Sequence, residues 1–191
     1  MALKLAMSQS DEFIIQHTQN WIHSFIIKLN ICPFAKREIT RGTVRFQVSH
    51  AKKIELALEE FMAEIDCLDK QPGVETTLLI FPSLFRDFFH YLDFVDLAEA
   101  LMNEQGYEGI YQLATFHPDY CFADVEFDEV SNYTNRSPYP MIHLLREETV
   151  EKAIAFYGDT EKIPALNIES MRQLGREEIQ KILTHCEPKT Q

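Results

Sequence analysis

The chain has 191 residues and a mass of 22.3 kDa, long enough for one domain with a substantial core and short for two independent ones. Its 18 lysines and arginines face 30 aspartates and glutamates, a formal charge of −12 with a pI near 5.0, which argues against broad attraction to nucleic acid or an anionic membrane and leaves room only for a local basic pocket. A hydrophobic content of 46% and a mean hydropathy of −0.21, with no run of roughly 20 apolar residues, exclude an acidic disordered tail and a membrane-spanning helix.

In chain order, Ser10, Asp11 and Glu12 form a helix start, with acids where the macrodipole favours them. Ile14, Trp21, Ile22, Phe25 and Leu29 then recur at the helical period until Asn30 and Pro33 stop it. This helix delivers Cys32-Pro33-Phe34-Ala35 at its C-terminal end, in a turn. Residues 43–49 alternate Val44, Phe46 and Val48 with polar neighbours, as a half-exposed or edge strand does. Ile54, Leu58, Phe61, Ile65 and Leu68 trace a second helix, with Ser49 as a cap and Pro72-Gly73 as its end. Residues 76–81 are almost continuously apolar and belong in the centre of a sheet. A third helix is expected over 83–106, with Phe85, Phe88, Leu92, Val95 and Met102 buried, and a third strand over 110–116. After Thr149, helices are expected over 150–156, 168–174 and 176–185, separated by Gly158 and Gly175.

Alternation of helix and strand is the grammar of crossover connections, so the expected fold is α/β: a single domain over 1–191 with a small, mainly parallel open sheet flanked by helices, the C-terminal ones packing on the same core. The four cysteines, Cys32, Cys67, Cys121 and Cys186, form no C-x-x-C pair, and the first ten residues carry too little apolar and basic character for an export signal. Free thiols in a reducing cytoplasm are the expectation.

Residues 117–143 depart from this grammar. They show little periodicity, three prolines and many groups able to orient a ligand, and they follow the end of the third strand, where open α/β sheets place their ligands. Three motifs, Leu29-Asn30-Ile31-Cys32-Pro33-Phe34-Ala35, Gln112-Leu113-Ala114-Thr115-Phe116-His117-Pro118-Asp119-Tyr120 and Asn132-Tyr133-Thr134-Asn135-Arg136-Ser137-Pro138-Tyr139-Pro140, resemble the bacterial family catalogued as domain of unknown function 1415. The resemblance spans the first helix to about Glu147 and implies no reaction and no catalytic residue. Cys-Pro-Phe-Ala is also similar to the active-site start of omega-class glutathione transferases, where the cysteine follows a strand and opens a helix; here it follows a helix.

Side-chain chemistry then leaves three readings. In an enzyme or ligand pocket, Arg136 grips an anionic small molecule through its planar fork, with Asn132 and Asn135 as further ligand contacts. His117 or His143 moves protons, and Cys32 or Tyr120 supplies a nucleophile or acid. In a transition-metal or haem site, His117 and His143 combine with Cys32 or Cys121. In a non-catalytic interaction protein, the same residues are scaffold: the asparagines hold irregular backbone, His117 caps a strand end, and Arg136 pairs with Asp119 or Asp124. His17, His23, His50, His90 and His185 stand in no motif and are not candidates. No glycine-rich phosphate loop and no G-x-S-x-G elbow occurs, so nucleotide use by the common routes and a serine hydrolase are unsupported. The sequence names no cofactor, reaction or oligomeric state.

Overall fold

The computed structural model describes residues 9–188. At its centre is a four-stranded sheet in the order β1-β2-β4-β3, made of β1 Val44–Val48, β2 Thr76–Ile80, β3 Tyr111–Phe116 and β4 Met141–Arg146. β1 and β2 pair in parallel, whereas β4 runs antiparallel to β2 and to β3. The fold is thus α/β, but the sheet is mixed, which corrects the expectation of a mainly parallel one. The error lies in β4. Met141, Ile142, Leu144 and Leu145 continue out of the proline-rich segment, and Phe81 N–H donates to the Pro140 carbonyl at 2.9 Å, so the chain enters the sheet as soon as the prolines end.

β2 is buried at all five positions, as its unbroken apolar run requires of an interior strand, and β1 is an edge. Register alternates the two faces: Phe46, Leu78, His143 and Ala114 lie across one, Gln47, Leu79, Ile142 and Thr115 across the other. The first face is covered by α1 (Gln9–Trp21), its π-helical continuation (Ile22–Ile27) and α6 (Ile163–His185), which bury Trp21, Phe25, Met171 and Ile179 against Ile80 and Met141. The second is covered by α3 (Ile54–Lys70) and α4 (Phe88–Glu104), with Phe61, Ile65, Phe94 and Ala98 packed on Leu79 and Leu144. Replacing the fully buried Leu79 with alanine is expected to cost about 3 kcal/mol, through lost transfer energy and an unfilled cavity. The urea midpoint reads this directly, and a loss under about 1 kcal/mol would show that the strand is not the packed centre.

Several boundaries differ from the periodicity reading for local reasons. A short helix, α2 (Ala35–Arg41), follows Cys32 where a turn was expected. α4 starts at Phe88 rather than Ser83, because the Asp87 carboxylate accepts from His90 N–H at 3.0 Å and caps it there. The preceding residues form a loop in which Phe85 holds φ 60°, left-handed for a side chain that is 7% exposed and stacked on Phe94. α5 (Glu147–Tyr157) ends at Gly158, and Gly175, with φ 72° and ψ 161°, kinks α6 where separate helices were expected. Among the described residues no helix is long and apolar enough to cross a membrane.

Candidate functional site

β1, β2 and β3 share one direction, so their carboxyl ends lie at one end of the sheet, and residues 117–140 connect β3 to β4 over that end. Backbone bonds fold this connection on itself. His117 N–H donates to the Asn135 carbonyl at 3.2 Å and Ser137 N–H to the His117 carbonyl at 3.4 Å, which brings residues 132–140 back beside His117. Asn132 is fully buried. Its side-chain oxygen accepts from Phe122 N–H at 3.0 Å, and its amide donates to the carbonyls of Glu126 (2.9 Å) and Phe127 (3.2 Å). Asn135 donates to the Thr115 carbonyl at 3.0 Å and accepts from the Thr134 hydroxyl. Both side chains are thus engaged in shaping backbone.

What they shape is the seat of Arg136. This residue is only 9% exposed. Its Nε–H donates to the Tyr120 carbonyl at 3.1 Å and Nη2 to the Phe127 carbonyl at 2.7 Å, while the guanidinium carbon lies 4.7 Å from the ring centroids of both Phe127 and Tyr133. Among the described residues no carboxylate, Asp119 and Asp124 included, is within ion-pair distance of it, and Nη1 has no protein partner. The cation is therefore held by carbonyls and aromatic faces rather than by a counter-ion.

Arg136 lines a groove of about 590 Å³ at this end of the molecule. One wall is the turn carrying Pro118 and Asp119, with Ser137 and Pro138 beside it; the other is the last part of α6 and its end, with Gln180, Thr184 and Glu187. α1 contributes His17, whose Nδ1 is 3.2 Å from the Tyr139 hydroxyl with the two rings edge to face. Burial holds the His17 imidazole below its usual range, against the pull of nearby Glu187, and the same burial pushes the Tyr139 hydroxyl up. A neutral imidazole with one nitrogen engaged offers its other nitrogen as a donor or an acceptor, according to tautomer. Sequence reasoning passed over His17 because its partner is 122 residues away. Its place on the sheet-facing side of α1, one helical turn before the buried Trp21, was the available signal.

The other candidates lie elsewhere. His117 is fully buried and its ring packs on Phe88 and Tyr91, at 5.1 and 5.2 Å between centroids. Nδ1 accepts from Asp119 N–H at 2.9 Å, which leaves Nε2–H to donate to the Phe85 carbonyl at 2.8 Å; burial keeps this ring below the ordinary histidine pKa. It reaches the groove only through Asp119. Tyr120 turns its ring to Phe88 and Phe122 and gives Arg136 a backbone carbonyl. Cys32 packs against the α1/α6 cluster, on the other side of the sheet from His117. Burial pushes its thiol up despite the N–H groups of Phe34 and Ala35 that face it. Cys121 donates to the Val125 carbonyl at 3.2 Å. Among the described residues no three His, Cys, Asp or Glu side chains gather as a ligand set for a metal, and His117 and His143 lie on opposite faces of the sheet.

His143 sits within β4 with Nε2 2.6 Å from the Thr76 hydroxyl, which itself donates to the Leu144 carbonyl. Desolvation there pushes the His143 pKa down to about 4. A neutral folded imidazole and an unfolded one of ordinary pKa near 6.5 mean that, below that value, the unfolded chain binds the extra proton. Stability from this site is complete above pH 6.5 and lost as the pH falls toward 4. Between pH 7 and 5 the loss is expected to be about 2 kcal/mol. Chemical denaturation at the two pH values checks this against His143→Gln, and an unchanged slope in the variant would dismiss His143 as its source.

No curated protein and no solved structure matches the chain. Residues 13–181, from the first turns of α1 deep into α6, match the model of the family described as protein of unknown function (DUF1415), and the chain belongs to that family.

Proposed function

We propose that the protein binds a small anionic compound in the groove between the β3–β4 connection and the end of α6, with Arg136 as the group that holds the anion. One observation carries this reading: an arginine residue that is nine-tenths buried, its guanidinium clamped between Phe127 and Tyr133, without a carboxylate partner among the described residues and with Nη1 unengaged. A cation withdrawn from water is costly unless a counter-charge meets it, and in a chain of net charge −12 an arginine kept from every nearby acid is arranged for a charge that arrives from outside. The fork is fixed before the ligand comes, so little conformational entropy is lost on binding. The neutral His17–Tyr139 pair in the same groove supplies what proton transfer to or from a bound anion would need, so an enzymatic role rests on His17 rather than on His117 or Cys32.

Thermal shift with phosphate, citrate, succinate and related anions tests the binding. At a concentration one hundred times Kd, a true ligand stabilises the wild type by about 2.7 kcal/mol. Arg136→Lys, which keeps the charge and loses the fork, should respond weakly, and Arg136→Gln should fold without responding. A wild type that no anion stabilises, or an Arg136→Gln variant that responds equally, would overturn the reading.

A further inference from the structure

The groove holds opposite charges kept apart. Arg136 is the sole Lys or Arg among its described lining residues, and the two acids there, Asp119 and Glu187, are exposed and make no ion pair with any described residue. The arginine is not free to swing toward the acids. The arginine is clamped by the Tyr120 and Phe127 carbonyls and by two rings, and Asp119 is fixed at its backbone by the bond to His117 and by the preceding Pro118. With His17 neutral, the groove lining sums to −1. An anion alone would meet Arg136 while facing two uncompensated carboxylates; a cation alone would be met by the arginine. A molecule carrying both charges meets the arginine and the acids at once.

Resting on the anion reading, we propose that the ligand is a small zwitterion: its carboxylate or equivalent anionic group lies on Arg136 and its ammonium is met by Asp119 and Glu187. Amino acids and other amino-carboxylates are the chemical class. Ser137, Gln180 and Thr184 add neutral polar groups to the lining and Pro118, Tyr133, Pro138 and Leu183 add apolar surface, which suits a short linker of a few methylene groups between the two charges.

Matched pairs test this by calorimetry and thermal shift: propionate with alanine and 3-aminopropionate, butyrate with 4-aminobutyrate, and glutarate with glutamate. In at least one pair the amine-bearing member should bind roughly tenfold tighter or more. Asp119→Asn combined with Glu187→Gln should erase that preference, and both positions are exposed, so the fold is expected to persist. The double variant should bind the plain carboxylate as well as the wild type does, or better, because two repelling charges are gone. Carboxylates that bind through Arg136 with no preference in any pair, or a preference that survives in the double variant, would overturn the zwitterion and leave the anion reading standing. If no pair member binds while the screen of simple anions is positive, the zwitterion falls alone; if both panels are blank, both readings fall.

Discussion

Arg136→Ala is expected to cost about 4 kcal/mol of folding stability, and Arg136→Met about half of that. The alanine variant removes two charge-assisted bonds to the Tyr120 and Phe127 carbonyls, at roughly 1.5–3 kcal/mol each before non-additivity, and two cation–π contacts of roughly 0.5–2 kcal/mol. It also empties the space between two rings. Against these losses stands a gain, because a buried cation without a counter-ion is itself destabilising and both variants discard it. Methionine refills the space between Phe127 and Tyr133 with a polarisable side chain and so recovers the packing, though not the carbonyl partners. Urea unfolding of the three proteins without ligand checks the order. If methionine were as damaging as alanine, packing would not be what the rings contribute. If both variants were within about 0.5 kcal/mol of wild type, the clamp would be holding nothing in place. Repeating the series with a stabilising anion separates the scaffold share from the ligand share, since only the wild type should gain from it.

The fold was legible wherever one physical signal dominated. The uninterrupted apolar run through Leu78, Leu79 and Ile80, short and bounded by Gly73 and Pro82, read as an interior strand, and the stripe through Phe61, Ile65 and Leu68 read as a buried helix face, and both are so. β4 was not legible as a strand, because Pro138, Pro140 and His143 disguised its start and because a strand inserted between β2 and β3 is decided by long-range pairing that no local pattern carries. The same limit applies to the site. The place of residues 117–143 after β3 pointed to this end of the sheet, and backbone bonds return residues 132–140 beside His117 there. Which side chains the groove gathers did not follow: His17 comes from α1 and Glu187 from the end of α6, and only the tertiary fold brings them to one place. His117, Asn132 and Asn135 drew attention because polar residues in an irregular segment look the same from sequence whether they bind ligand or hold backbone. Counting their hydrogen bonds tells the two apart.

His117→Ala is expected to destabilise the protein by about 4 kcal/mol, as much as any single substitution considered above, and to do so as a scaffold change. The variant leaves the Phe85 carbonyl and the Asp119 N–H without partners at roughly 1–3 kcal/mol each and opens a cavity against Phe88 and Tyr91. It also releases the restraint on Phe85, whose left-handed backbone is tolerable only while its surroundings over-determine it. His117→Phe should recover part of the loss, because a ring of similar shape restores the stacking while both polar partners stay bare. Protonation separates this role from a catalytic one. A ring that accepts from Asp119 N–H at Nδ1 cannot take a proton there without breaking that bond, and burial already holds its pKa below the ordinary value. Nitrogen NMR of the labelled protein should therefore show a neutral Nε2–H tautomer that persists as the pH falls through 6.5, the value an ordinary histidine takes. His117 then adds stability that is complete above that pH and is lost below it, since the unfolded chain accepts the proton first. A His117 signal that titrates near 6.5, or an alanine variant as stable as the wild type, would return His117 to the list of groups free to do chemistry. Persistence of the neutral tautomer would fix it as the strut between the Phe85 turn and Asp119, the residue that lines the Arg136 groove.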